Sequence, residues 1–253
     1  MRRKEVKRTS LIIVSVLVLL SIALTACQPA STKVRVATDA TFPPFETVDE
    51  ATKELTGFDV ELMNALAAKA GIEIEWVNIG FDPMLAGLSQ CQYDVAIAAI
   101  TITEDRKKDM LFSEPYINAG QIISVQKSNT EITGPANLAG KKVGAQLGTT
   151  GAIEAEKIEG VELKTYDSYD LAFLDLANGQ IDAVIADYPT ALGFVGQNAD
   201  KLTTVGEVFT DESYGIAVCK KNTDLLKKIN DGLAAIKADG TVQKLEMKWL
   251  AGQ

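Results

Sequence analysis

The chain of 253 residues contains no histidine. That excludes Ser-His-Asp and Cys-His nucleophile systems, and any zinc site built on imidazole. Carboxylate-only or lysine-based chemistry is left open. Basic residues are scarce past the amino terminus. The first 26 residues hold five Lys/Arg and one Glu, while the remainder carries 20 basic against 33 acidic residues, a net charge of −13. Such a surface repels nucleic acid and anionic lipid headgroups. Cysteine is limited to 3 residues, Cys27, Cys91 and Cys219. The rest is ordinary for a soluble globular protein, 47% hydrophobic and 23% charged. The length suits one large domain or two small ones.

The amino terminus reads as a targeting segment, residues 1–26. A positive stretch, MRRKEVKR, precedes an apolar run from Leu11 to Leu24 that is short for a bilayer span. The run ends in Leu24-Thr25-Ala26-Cys27, which resembles a bacterial lipobox. That likeness implies cleavage before Cys27, lipid on its sulfur and amine, and a polar tether over residues 27–33. An uncleaved membrane anchor is the alternative. The other two cysteines then lie in a compartment that permits disulfides. Cys91 precedes the apolar run at 93–100 and Cys219 follows an expected strand at 213–218. If those strands are antiparallel neighbours, the two sulfurs share one sheet edge and can bond.

The chain is organised around residues 94–106, Asp-Val-Ala-Ile-Ala-Ala-Ile-Thr-Ile-Thr-Glu-Asp-Arg. A continuous apolar run there predicts a strand of a parallel sheet buried on both faces. Thr103 suits an N-cap, with Glu104 and Asp105 in the first turn of a polar helix. Thr101, Thr103 and Arg106 then sit past the C-terminal end of a central strand, where open α/β sheets bind ligands. Arg106 either offers a planar fork to a carboxylate or phosphate, or pairs with Glu104 or Asp109 at the surface.

Upstream, 33–37 predicts a strand, followed by a loop stiffened by Pro43-Pro44 that sets Phe42 and Phe45. Residues 57–70 predict an amphipathic helix ended by Gly71, 72–77 a strand, and 81–90 a helix with Asp82 as N-cap and Pro83 at its first position. Downstream, 121–126 reads as an extended connection. A second series begins with a strand from Lys142, then a helix at 152–158, a strand at 162–165, a helix at 168–178 and a strand at 181–186.

The halves rhyme. Phe81-Asp82 heads a helix that leads to Gln92-Tyr93-Asp94-Val95-Ala96; Tyr169-Asp170 heads one that leads to Gln180-Ile181-Asp182-Ala183-Val184. Repeated element order predicts an α/β fold of two similar lobes. The tail, a strand at 213–218 and helices at 224–238 and 242–250, has no counterpart in the second half. It is expected to return to the first lobe, leaving two connecting strands that form a hinge. The expected lobes are 34–117 plus 213–253, and 121–210.

With both lobes turning their strand ends to one cleft, the first contributes Asp39, Phe42, Phe81, Thr101 and Arg106. The second contributes Gln146, Gly148, Thr149, Thr150 and Asp187. Arg106 and the N–H groups near Thr150 suit a carboxylate, Asp187 an ammonium, and two rings a flanked side chain. Together they describe a free α-amino acid. Duller alternatives stand beside each: Phe42 and Phe81 as plain core, Asp187 as a cap for the turn before Pro189. Gly148-Thr149-Thr150-Gly151 lacks a following Gly-Lys-Ser/Thr, against a nucleotide loop. No metal or cofactor is expected.

Several motifs in combination resemble the amino-acid-binding proteins of ABC importers, the family-3 solute-binding group. They are Ala37-Thr38-Asp39, Pro44-Phe45-Glu46, Gly57-Phe58-Asp59-Val60, Thr101-Ile102-Thr103-Glu104-Asp105-Arg106, Phe112-Ser113, Gly148-Thr149-Thr150, Asp182-Ala183-Val184 and Tyr214-Gly215-Ile216-Ala217. The resemblance implies a two-lobed, hinge-closing periplasmic-binding-protein-like (type II) fold and no enzymatic activity. It implies Arg106, Thr101 and the Thr150 amide on the α-carboxylate, Asp187 on the α-ammonium, and Phe42 and Phe81 about the side chain. Asp39 and Gln146 would meet its distal end, with Ala98, Ala99, Gly148 and Thr149 also lining the site. The implied ligand is a polar or cationic L-amino acid such as arginine, lysine or glutamine. The implied partners are a permease and ATPase, with a monomeric receptor held outside the cytoplasm by a lipid anchor. A cyclohexadienyl dehydratase using Glu46 or Asp39, or an amino-acid sensor, is the alternative.

Overall fold

A computed structural model describes residues 33–251. The targeting segment, Cys27 and most of the tether lie outside that range. The described chain starts with β1 (Val34–Thr38), then β2 (Thr41–Phe42), β3 (Glu46–Val48), β4 (Leu55–Thr56) and α1 (Phe58–Ala70). Next come β5 (Ile74–Asn78), α2 (Phe81–Ser89), β6 (Val95–Ala96), a single turn α3 (Glu104–Lys107) and β7 (Met110–Phe112). β8 (Ile117–Ala119) and β9 (Gln121–Gln126) lead to β10 (Lys142–Gln146), α4 (Thr150–Lys157) and β11 (Glu162–Tyr166). α5 (Tyr169–Ala177), β12 (Ala183–Asp187), α6 (Tyr188–Gln197) and β13 (Leu202–Val205) follow. The last described elements are β14 (Glu212–Tyr214), β15 (Ala217–Cys219), α7 (Thr223–Ala238) and α8 (Thr241–Trp249).

Two five-stranded sheets form, ordered β5-β1-β6-β15-β7 and β11-β10-β12-β9-β13. In each, a parallel trio is followed by an antiparallel fourth strand. The repeat in sequence is thus a repeat in topology. β15 comes from the chain's tail, as expected, and α7 and α8 pack on α1. Gly232 of α7 permits that approach, since a Cβ there would lie 3.1 Å from Leu66 Cγ. Leu62 and Leu66 of α1 and Leu233 of α7 are buried. Each such side chain contributes about 1.5–3 kcal/mol by leaving water. The two connections between the sheets pair with each other, Ile117 opposite Tyr214 and Ala119 opposite Glu212, in an antiparallel ribbon of β8 and β14.

Five expectations need correction. The run at 93–100 is a strand only over Val95–Ala96, because Ala99 turns left-handed with φ 47° where its N–H donates to Asp59 Oδ2 at 2.8 Å. Both sheets are mixed, since one antiparallel strand enters each. Residues 121–126 are not a connection but β9, between β12 and β13. In addition, Gly80, not Asp82, caps α2: the first intrahelical bond runs from Met84 N–H to Gly80 O at 2.9 Å, and the free Phe81 N–H donates to Asp39 Oδ2 at 3.1 Å. Pro83 then stands third in the helix, where a missing N–H still costs nothing. The expected strand at 213–218 is two strands, β14 and β15.

Unbroken apolar strands follow from two cores. In β12, Val184 and Ala186 join the larger core while Ala183 and Ile185 join a smaller one on the sheet's other face. A strand covered on both faces has no polar alternation to show. Cys91 and Cys219 are bonded with Cα atoms 5.1 Å apart, and β6 and β15 are indeed antiparallel neighbours.

Two acids lie inside the larger core. Asp59 Oδ2 accepts from Ala99 N and from Tyr116 Oη at 2.7 Å, and Glu46 is fully buried beside it. Burial pushes the Asp59 carboxyl up to about 7. Burial first, and then the charge of Asp59, pushes Glu46 well above the carboxylate range. The folded chain therefore holds protons that the unfolded chain has released, so stability falls as pH rises from the unfolded values through about 7. Asp59→Asn keeps an acceptor for Ala99 and cannot titrate; thermal melts at about pH 5 and about pH 8 will show a smaller difference than in the unsubstituted chain. Replacing Cys91 and Cys219 together by serine opens a loop of sequence separation 128 and lowers stability by about 2–4 kcal/mol in denaturant titration.

Candidate functional site

Thr101 stands where the ends of the two sheets meet. Thr103 caps α3 by accepting the Arg106 N–H at 3.1 Å, and that turn aims the guanidinium back along the chain. Arg106 Nη1 donates to Thr101 O at 2.6 Å and Nη2 to Gly148 O at 2.9 Å. The guanidinium also lies 5.5 Å from the Phe81 ring centroid. Glu104 pairs with Lys107 instead, so the surface-pair alternative for Arg106 is not the one adopted. Burial lowers the Arg106 pKa, and the charges of Asp187 and Glu212 oppose that shift.

The second sheet supplies the facing groups. Gly148 has φ 80°, a left-handed backbone that turns its carbonyl to Arg106, and a Cβ there would lie 3.0 Å from Asp82 Oδ1. Thr149 caps α4 and donates to Gln146 O at 2.7 Å. Thr150, the first residue of α4, brings its hydroxyl to 3.3 Å from that of Thr101. Asp187 ends β12 and precedes α6, but its carboxylate makes no capping hydrogen bond. It instead accepts from Gln121 Nε2 at 3.2 Å and Thr101 Oγ1 at 3.5 Å. Burial, reinforced by the charge of Glu212, pushes its carboxyl up to about 7.

On the far side of Phe81 lies a second polar group. Asp39 accepts from Gln146 Nε2 at 2.9 Å and from Thr41 Oγ1 at 2.9 Å. Burial raises its pKa while those hydrogen bonds lower it. Gln146 Oε1 is buried without a hydrogen-bond partner. Phe42 and Phe81 stack with centroids 5.7 Å apart, and Phe42 meets Tyr169 edge-on at 5.4 Å.

The expected residues therefore converge, and hydrogen bonds tie the sheets together at Arg106–Gly148, Thr101–Thr150 and Asp39–Gln146. Ala98 is an exception, buried in the core and bringing no side-chain polar group; Ala99 contributes its left-handed turn. Glu46 also stays in the core, beside Asp59. Three further residues belong to the cluster: Gln121, Tyr169 and Glu212. Glu212 Oε2 accepts from Thr101 Oγ1 at 2.9 Å and Thr150 Oγ1 at 2.8 Å. Tyr169 heads the second rhyming helix as Phe81 heads the first, a signal that could have placed it. No sequence signal marks Gln121 or Glu212.

Comparison with known proteins accords with this arrangement. The bacterial extracellular solute-binding proteins, family 3, match residues 34–252. The chain is 39% identical over 216 residues to the L-cystine-binding protein TcyJ of Escherichia coli (strain K12), covering 85% of this chain and 81% of that protein. It is 37% identical over 227 residues to ABC transporter arginine-binding protein 1 of the same strain, covering 87% and 91%. An ancestral arginine-binding protein solved with arginine bound is 45% identical, with a TM-score of 0.83 and coverage of 86% of this chain and 98% of that one. An ancestral arginine-binding protein solved with glutamine bound is likewise 45% identical, with a TM-score of 0.83 and coverage of 88% of this chain and 100% of that one. This chain belongs to the bacterial extracellular solute-binding proteins, family 3. It is a two-lobed binding protein and not an enzyme.

Proposed function

We propose that this protein captures a free L-amino acid with a polar or cationic side chain and delivers it to an ABC importer. One observation carries the reading: a guanidinium holds the carbonyl of Thr101 and a carboxylate approaches its hydroxyl, from opposite sheets. An α-amino acid carries the matching pair of opposite charges on one carbon. Its carboxylate suits Arg106 and the amides at the start of α4, where the helix dipole adds attraction. Its ammonium suits Asp187 and Thr101. Phe42 and Phe81 then flank the side chain, and Asp39 and Gln146 stand where a distal donor would end. The relatives named for arginine and cystine, and the ancestral arginine-binding proteins solved one with arginine and one with glutamine, support a polar or cationic ligand class.

Capture works by closure, with no bond made or broken. Lobes 34–117 plus 213–253, and 121–210, move about the β8–β14 ribbon. Ligand contacts drawn from both lobes exist together only when the lobes meet, so binding shifts the hinge equilibrium. Cleavage before Cys27 and lipid on that residue would keep a monomeric receptor on the outer face of the membrane, near its permease and ATPase.

A thermal-shift screen against the twenty amino acids tests the class. A polar or cationic member raises apparent stability by about 4 kcal/mol at about a thousandfold excess over its dissociation constant; no response to any of them overturns the reading. Arg106→Ala leaves the ligand carboxylate without its charged partner and weakens binding by about 3 kcal/mol in calorimetry. Unchanged affinity would remove Arg106 from the site.

A further inference from the structure

The ribbon that joins the lobes carries an acid into the cluster. Glu212 Oε2 receives Thr101 Oγ1 at 2.9 Å, Thr150 Oγ1 at 2.8 Å and Gln121 Nε2 at 3.3 Å, while Oε1 receives Thr210 Oγ1 at 2.7 Å. Asp187 Oδ1 draws on two of the same donors, Gln121 Nε2 at 3.2 Å and Thr101 Oγ1 at 3.5 Å. Thr150 Oγ1 is itself an acceptor for Gln121 Nε2 at 3.0 Å. Each hydroxyl has one hydrogen and the amide has two. Gln121 Nε2 thus faces three acceptors with two hydrogens, and Thr101 Oγ1 faces two carboxylates with one. Two carboxylates also compete for them, and the one nearby cation, among the described residues that act on Asp187, spends its hydrogen bonds on the carbonyls of Thr101 and Gly148. The chemistry that completes such a cluster is a compact cation with several hydrogens.

We propose that Glu212 is a second carboxylate of the ammonium subsite, acting with Asp187 to make capture depend on a free, charged α-amine. The inference rests on the amino-acid reading of the cleft. An ammonium brings three N–H donors, enough to serve Asp187 Oδ1 and Glu212 Oε2 together and leave one for Thr101. A ligand whose α-amine is missing leaves the buried Asp187 and the half-buried Glu212 as two carboxylates without a shared cation, a penalty aimed at the wrong ligand. The upward shift of the Asp187 carboxyl, in part through Glu212, agrees with that mutual repulsion.

The test is calorimetry with pairs that differ by the α-amine alone: L-arginine and 5-guanidinopentanoate, L-lysine and 6-aminohexanoate, L-glutamine and 4-carbamoylbutanoate. In the unsubstituted chain the amino acid binds at least about 100-fold more tightly than its partner. Glu212→Gln lowers affinity for the amino acid about tenfold or more and leaves the deaminated partner unchanged or tighter, so the ratio falls. An unchanged ratio overturns the proposal, whether neither affinity moves or both fall together, because a purely structural brace acts on both ligands alike. Should Glu212→Gln fail to fold, Glu212→Asp carries the same test, with a smaller fall expected and an unchanged ratio equally fatal. The amino acid that responds most strongly in the thermal-shift screen joins the series with its own deaminated partner; an unsubstituted chain that binds no amino acid overturns the reading of the cleft, and this inference with it.

Discussion

Arg106 reaches from the first sheet's side to the Gly148 carbonyl on the second, and Thr101 lies between that guanidinium and Asp187. Charges removed from water are costly unless they are paired or hydrogen-bonded. This fold meets that constraint by collecting its buried polar groups where strand ends from both sheets converge. Thr101, Thr150, Gln121, Asp187 and Glu212 belong to one network.

The fold presents those groups through duplication of one plan. Each sheet has a parallel trio and an antiparallel fourth strand, so the C-terminal ends of the trios can face each other. Helix starts follow those ends: α2 after β5 and α4 after β10, each opening on the cleft side. Phe81 heads α2, and Tyr169 heads α5, so one ring from each half lies beside Phe42. The crossover ribbon of β8 and β14 is the only paired segment, among the described residues, that belongs to neither large sheet nor to the small β2–β4 sheet. It is also the element that carries Glu212. The ribbon that joins the two large sheets and the polar cluster between them are therefore neighbours.

A buried acid pair supports the same end of the structure from behind. Asp59 takes the Ala99 N–H, and the left-handed turn that results takes the chain out of the sheet and on to Thr101. Family membership makes the chain a solute-binding protein and not an enzyme.

Much of this was legible along the chain. The Thr103 cap, the α1 stop at Gly71, the repeated helix–strand units and the tail's return to the first sheet all depend on neighbours within a few residues or on apolar periodicity. That Arg106, Asp187, Gly148 and the two phenylalanines come together was legible as well, because they sit at strand ends and helix starts on the side where the two sheets meet. The cysteine pair was legible for the same local reason, each flanking a strand. The length of β6 was not, because Ala99 leaves the sheet for a hydrogen bond to a residue forty positions earlier. Nor was β9, whose pairing with β12 and β13 depends on strands far along the chain. Gln121 and Glu212 carry no local mark at all. Sequence by itself determined the two-lobed plan and the charged residues at its strand ends, since periodicity and capping are short-range physics. Only tertiary structure decided that Glu212, 111 positions from Thr101, shares its hydroxyl with Asp187. Hydrogen bonds between distant segments depend on where the chain closes up, and no local pattern encodes that.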